Sequence, residues 1–398
     1  MPDTAIPSRV SDPAGPPTRT PVPMLDLKRQ YAPIHEELLE ALGRVLATQQ
    51  FILGSEVAAF ENAAAEQLGV AHALGCSSGT DALWLALAAA GVGSGKAVVT
   101  TPFSFFASVS SILRAGATPV LADIDPVSFN LSPAAVNAAL DSPRGAQVRA
   151  VLPVHLYGQT VDFSSGFGRE HGLTVIEDAA QAWGAEWNGA KAGVLGDIAA
   201  FSFYPTKNLS AAGDAGMVTT NSVELAERVK MLRQHGMRRR YYHDELGWNA
   251  RMDGFQGAVL SVKLKYIGVW NEARRRVAAR YHALFAKAGL AEAGPYPVHG
   301  IVLPREVPCA RHAWHQYVIR APRRDALREF LTARGIGSEI YYPVPLHRQE
   351  ALKGLGYAEG DFPEAERAAR EVLALPIFPE LREDEQQTVV AAIAEFLS

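Results

Sequence analysis

Cysteine is nearly absent from this sequence, with only Cys76 and Cys309 among 398 residues. Two thiols supply no disulfide framework, which excludes the small secreted scaffolds and leaves a reducing cytoplasm as the expected home. An excess of one charge is missing too: 38 Lys and Arg against 42 Asp and Glu give a net charge of −4. Neither nucleic acid nor an anionic membrane surface is therefore an expected partner, and any anionic ligand must be held locally. Long hydrophobic runs are lacking. The apolar stretch from Ala82 to Val92 falls well short of the roughly 20 residues that cross a bilayer, so no membrane span is expected. Met1 to Thr20 contains Pro2, Pro7, Pro13, Pro16 and Pro17 but no apolar core of signal-peptide length, and a disordered tail is expected there.

Two nucleotide signatures are also wanting. Gly91-Val92-Gly93-Ser94-Gly95-Lys96 has Ala90 where a phosphate loop needs glycine, and Ala97 where it needs Ser or Thr. It also follows a helical stretch rather than a strand, so it is expected to be a helix stop and turn. No Gly-x-Gly-x-x-Gly follows a strand, which weighs against a nicotinamide oxidoreductase.

What is present is an α/β alternation. A chain of this length exceeds the roughly 250–300 residues that one core supports, so two domains are expected. After a helical arm at residues 25–68, strands are expected into Cys76, over Ala97 to Thr101, Pro119 to Ile124, Val148 to Pro153, Leu173 to Ile176 and Ile198 to Phe203. Helices are expected between them, at Asp81 to Ala90, Ser108 to Ala115 and Ser132 to Leu140. This grammar predicts a large, mostly parallel sheet domain over residues 21–260. Beyond it, helices over Val259 to Arg280, Arg324 to Arg334, Glu364 to Leu373 and Glu383 to Phe396, with strand-like Gln316 to Ala321, predict a smaller α+β domain over 261–398.

Three local patterns carry chemistry. Glu177-Asp178 ends a β-branched strand, where side chains point into the crevice in which α/β proteins bind ligands. An Asp there can pair with a protonated pyridine nitrogen and keep that ring an electron sink. Pro205 stops the ladder after Ile198 to Phe203, so Lys207 projects from a strand end; partly desolvated, its amine becomes a nucleophile toward an aldehyde. Ser78-Gly79-Thr80-Asp81 opens a helix whose free N–H groups suit a phosphate. Each pattern has an ordinary counterpart: a solvated lysine, a helix cap, a buried acid. Together they are the parts of a pyridoxal phosphate site.

Ser78-Gly79-Thr80-Asp81-Ala82-Leu83, Glu177-Asp178-Ala179-Ala180-Gln181, Phe201-Ser202-Phe203 followed by Lys207-Asn208-Leu209, and Gly213-Asp214-Ala215-Gly216 resemble, in order and spacing, the DegT-type (DegT/StrS) pyridoxal-phosphate-dependent nucleotide-sugar aminotransferases. The resemblance runs from Val22 to the end of the chain. It implies a fold-type-I PLP-dependent transferase with Lys207 and Asp178 catalytic. It implies Gly79, Thr80 and Ser202 at the phosphate, Gln181 near the ring's 3′ oxygen, and one of Phe103, Phe105 and Phe106, by position Phe105, stacked on the ring. Asn249, in Gly247-Trp248-Asn249-Ala250-Arg251, is implied to cross a homodimer interface to the partner's phosphate, so that active sites are shared.

For substrate contacts the candidates are His155, near Asp178 or the ring, together with Arg251, His315, Tyr342 and His347. Cys309, His312 and His315 have no fourth ligand at a fitting spacing, so no metal is expected. The implied reaction moves an amino group, by family habit from L-glutamate, to a keto group at carbon 3 of a nucleotide-linked hexose, a UDP-linked N-acetyl uronic acid or a dTDP-linked 6-deoxyhexose. Amino-sugar and polysaccharide biosynthesis is the implied setting. A regulatory protein that binds pyridoxal phosphate without turnover is the alternative, and intact Lys207 stands against a dehydratase, whose family members carry histidine there.

Overall fold

Seven strands form the central sheet of the computed structural model, which describes residues 21–398; the tail expected over residues 1–20 lies outside them. In chain order they are β1 (His72–Cys76), β2 (Ala97–Thr100), β3 (Thr118–Leu121), β4 (Val148–Val151), β5 (Thr174–Asp178), β6 (Ile198–Ser202) and β7 (Gly216–Thr220). Their spatial order is β1-β7-β6-β5-β4-β2-β3. β7 runs antiparallel to both its neighbours, and β6-β5-β4-β2-β3 is parallel throughout. Val98, Val99, Val120, Val151, Val175 and Ile176 are all buried, as a sheet covered by helices on both faces requires.

The helix Gly79–Ala89 is apolar on nearly every side: Leu83, Trp84, Leu85 and Leu87 are all buried. Burial of each leucine side chain contributes about 1.5–3 kcal/mol, and a helix with no polar stripe is held in the centre of the layer. Its start is fixed by Ser78, extended at φ −165°, whose hydroxyl accepts the Asp81 N–H at 3.0 Å. Gly216 in β7 faces that turn across the register Cys76↔Gly216↔Ser202. A Cβ on Gly216 would lie 2.3 Å from the Ser78 carbonyl, so only glycine lets β1 turn there. Lys96 does not face a phosphate; its ammonium group caps the Gly91 carbonyl at 2.5 Å at the end of the preceding helix.

The C-terminal part pairs Tyr317–Arg320 antiparallel with Val372–Leu375, and Arg324–Ala333 and Glu383–Leu397 flank the pair. Two sequence expectations are corrected here. The helix expected over Glu364 to Leu373 spans Pro363–Glu371 and then yields to a strand, because Val372 to Leu375 are fully buried beside Tyr317–Arg320. The single helix expected over Val259 to Arg280 is two, Gly254–Leu264 and Ile267–Lys287. The first packs on the N-terminal helix Gly54–Leu68 so closely that a Cβ on Gly257 would meet Val57 Cα at 2.8 Å. Position 260 lies inside the first of these helices. One cluster of buried apolar residues runs from Val22 to Ile393 and includes residues of both parts.

Among the described residues, no helix is long and apolar enough to cross a membrane.

Candidate active site

The alternation of β5 sends Glu177 and Asp178 to opposite sides. Glu177 turns into the core, where its carboxylate accepts Gly193 N–H at 2.8 Å, Gly196 N–H at 2.6 Å and the His155 ring at 2.8 Å. Asp178 sits at the strand end beside Ala200 of β6, with Oδ2 accepting the Ser108 hydroxyl at 2.8 Å and Oδ1 the Ala180 N–H at 3.2 Å. Burial pushes its carboxyl above the usual range, opposed by the Ser108 hydroxyl, the Ala180 amide and the charge of Lys207.

Ladder pairing of β6 ends at Ser202, and the turn after it closes with Lys207 N–H on the Tyr204 carbonyl at 2.8 Å. This places Lys207 beyond the strand next to Asp178. Lys207 is partly exposed as a residue, but the protein around its amine desolvates it and lowers its pKa to about 8, with Asp178 pulling the other way. Within reach of that charge, His315 is held well below the usual imidazole range, first by burial and then by Lys207. His315 Nδ1 lies 3.1 Å from Asn208 Oδ1, and Asn208 Nδ2 donates to the Ala313 carbonyl at 2.9 Å, so the residue after the lysine fastens the turn to the C-terminal part.

The lowered amine pKa has a consequence for stability. Because folding disfavours the charged amine, wild-type apoprotein carries a penalty below pH about 8 that fades as pH rises toward the ordinary value of 10.5. At about 1.4 kcal/mol per pKa unit, Lys207→Met apoprotein should gain about 1–3 kcal/mol at neutral pH and nothing above the ordinary lysine value. Thermal melting of both apoproteins in neutral and alkaline buffer checks this; equal melting at neutral pH would refute it.

A second group of residues gathers where β1 and β6 end and β7 begins. A Cβ placed on Gly79 would lie 2.5 Å from Ser202 Cβ and 2.9 Å from its hydroxyl, so Gly79 is needed for Ser202 to approach the helix start. Gly79 and Thr80 N–H are among the first helical amides, which have no intrahelical acceptor. One hydroxyl, two amides and a helix N-terminus form a cradle for an anion, with Lys207 and Asp178 on the same sheet edge; the residues fit pyridoxal phosphate.

Of the three candidate aromatics, Phe103 is fully buried, whereas Phe105 is 59% exposed, its ring 6.3 Å from that of Tyr342. Tyr342 Oη accepts Gln181 Nε2–H at 3.3 Å, and Gln181 Oε1 accepts the Tyr157 N–H at 2.6 Å. The segment bearing Tyr342 is fastened to the large sheet by Leu346 N–H on the Pro102 carbonyl at 2.7 Å and by the Tyr157 hydroxyl on the Tyr341 carbonyl. Gln181, Phe105, Tyr342 and His315 thus converge around Asp178 and Lys207.

Asn249 and Arg251 stand apart from that group. They leave the same face of an extended segment, with Arg251 Nε donating to Asn249 Oδ1 at 3.0 Å. With Ile52, Ser77, Asp214, Asp253 and Gln256 they line a cavity of about 310 Å³ beside the β1 turn. Of these lining residues Ile52 is an exposed large apolar side chain.

Two candidate substrate contacts are corrected. His155 is completely buried: Nδ1 accepts the Val161 N–H at 3.2 Å, so Nε2 carries the proton to Glu177 and neither nitrogen is free for a substrate. His347 is buried as well, with Nε2 2.9 Å from Glu366 Oε1, which also accepts the Gly360 N–H at 2.8 Å. It anchors the turn before the helix Pro363–Glu371 rather than a sugar. Sequence reasoning missed Ser108, Tyr157 and Asn208. The only sequence signal was that each lies within four residues of a motif already singled out.

A model of the family described as the DegT/DnrJ/EryC1/StrS aminotransferase family matches residues 33–394. The chain belongs to that family. Within this aminotransferase family it is 49% identical over 377 residues to the pleiotropic regulatory protein of Geobacillus stearothermophilus, covering 94% of this chain and 98% of the relative. It is 41% identical to the UDP-N-acetyl-3-dehydro-alpha-D-glucosamine 3-aminotransferase of Acidithiobacillus ferrooxidans, covering 95% and 98%. Among solved structures, DesV of S. venezuelae in complex with a ketimine intermediate is 41% identical, with a TM-score of 0.89 over 96% of this chain and 99% of that one. The DegT-family fold is that of the PLP-dependent aminotransferases, and its large sheet is the one described above.

Proposed function

We propose that this protein is a pyridoxal-phosphate-dependent aminotransferase that moves an amino group from L-glutamate to the keto group at carbon 3 of a nucleotide-linked hexose, in the making of amino sugars for polysaccharides. The observation that carries the reading is the pairing of Lys207, its amine lowered to about 8, with buried Asp178 at adjoining strand ends. When bound, the cofactor supplies an electron sink for the carbanion. Lys207 Nζ would attach the cofactor and would carry the proton taken from the donor's α-carbon. Asp178 would hold the proton on the ring nitrogen. Phe105 would cover one face of the ring and keep water from it. Both half-reactions use one site, so ping-pong kinetics are expected.

The relative of regulatory name, at 49% identity, motivates a second reading: a cofactor-binding regulator without turnover. An absorbance spectrum of the holoprotein with and without glutamate separates them. Conversion of the lysine-bound form to the pyridoxamine form supports the aminotransferase, and a spectrum blind to every amino donor overturns it. Mass spectrometry of products from UDP-, dTDP- and GDP-linked 3-keto sugars then fixes the acceptor. A cytoplasmic home fits such substrates.

Arg251 tests the sugar. One edge of its guanidinium is used by Asn249, leaving terminal nitrogens for a carboxylate. A charge-assisted pair with a uronic acid is worth roughly 1.5–3 kcal/mol. At about 1.4 kcal/mol per decade, Arg251→Leu should lower kcat/KM on the order of tenfold to a hundredfold for a UDP-linked uronic acid and barely affect a neutral 6-deoxy sugar. Equal losses on both would make Arg251 a brace for Asn249 and remove the preference for the uronic acid.

A further inference from the structure

Two serines behind the ring site have no part in the roles assigned so far. Ser104 and Ser108 are four residues apart where the loop after β2 enters the helix Ala107–Arg114, so one turn brings their hydroxyls together at 2.8 Å. Ser108 Oγ lies 2.8 Å from Asp178 Oδ2, and all three side chains are at least 96% buried, at 3%, 1% and 4% exposure. The direction of the protons follows from chemistry. An ionised carboxylate only accepts, so Ser108 donates to Asp178; its single proton is then used, so Ser104 donates to Ser108.

With Ala180 N–H on Oδ1, each oxygen of Asp178 is held by one donor, which fixes the plane of the carboxylate and directs its remaining lone pairs. Burial works against the ionised form. Besides these donors, the titratable groups that bear on it are Lys207, His155 and Tyr342.

We propose that Ser108, backed by Ser104, is a positioning residue that keeps Asp178 an acceptor aimed at the pyridine nitrogen of the cofactor. The inference rests on the reading that Asp178 meets that nitrogen. The same turn that places Phe105 over the ring thus sets the charge beneath its far edge, and one short segment governs both the stacking and the protonation of the ring. Serines that merely satisfied each other in the core would affect stability and leave the ring's protonation untouched.

The test uses apoprotein titrated with ¹⁵N-ring-labelled pyridoxamine phosphate, reading the nitrogen chemical shift of the bound ring and the dissociation constant. In Ser108→Ala the shift should move toward that of the neutral pyridine and the affinity fall by about tenfold, with Ser108→Thr restoring both. Ser104→Ala should move the shift in the same direction by less. An unmoved shift in Ser108→Ala, with Asp178→Asn moving it, overturns the role of Ser108 and leaves that of Asp178 standing. An unmoved shift in Asp178→Asn shows that Asp178 does not meet the ring, and both readings fall. Should Ser108→Ala not fold, Ser108→Cys takes its place, since a thiol is a much weaker donor to Asp178, and an unmoved shift in that variant overturns the proposal.

Discussion

Lys207→Ala should fold, bind pyridoxal phosphate without attaching it, and lose transamination by at least about 10⁴-fold, the combined cost of the covalent link and the proton carrier. A lowered amine pKa does not by itself make the argument. Lys263 is also lowered to about 8 by burial, and its amine donates to the Ser210 hydroxyl at 3.0 Å. Among the described residues no carboxylate stands opposite Lys263 as Asp178 does opposite Lys207, and it lies in the last turn of a helix packed on the N-terminal arm rather than at a strand end. Desolvation supplies the nucleophile in both cases; only at Lys207 does the surrounding geometry present a ring partner and a phosphate cradle. Borohydride reduction of the holoprotein followed by peptide mapping should find the label on Lys207. A label on Lys263, or undiminished turnover by the alanine variant, would overturn the assignment.

The parts of the site that could be read from the sequence are those in which one strand or turn does the work. Ile198 to Phe203 alternates and Pro205 ends it, so the placement of Lys207 follows from local rules; so does Asp178 at the end of a β-branched run. The histidines were misjudged because their partners are remote: Glu177 is 22 positions from His155 and Glu366 is 19 from His347. A buried histidine satisfied by a carboxylate and one aimed at a ligand have the same local sequence. Ser108 was overlooked for the converse reason, since its importance comes entirely from a carboxylate 70 positions away. The strand Val372–Leu375 shows the same limit for secondary structure. Leu373 continues an apolar period that suits a helix, yet the hydrogen bonds offered by Tyr317–Arg320 turn it into a ladder.

Mixing two inactive variants, Lys207→Ala and Asn249→Ala, should restore activity. Asn249 is exposed in the protomer, and Arg251 Nε fixes its Oδ1, so its Nδ2–H₂ is left as an outward donor. Ile52, which lines the same cavity, is exposed as well, so the cavity presents both an apolar and a polar group to a second copy. If Asn249 reaches the partner's phosphate, each site takes its lysine from one chain and its asparagine from the other. In a two-fold dimer the interface is self-complementary, so both sites are built alike. A heterodimer of the two variants then has one site lacking both residues and one with both intact. Random reassortment makes half the dimers mixed, and half of their sites whole, so recovery should approach roughly a quarter of wild-type turnover. Were Asn249 to serve its own chain, every site in every mixed dimer would lack one residue, and nothing would return. Native mass spectrometry showing mixed dimers, with turnover still at the level of the separate variants, would therefore refute the shared site.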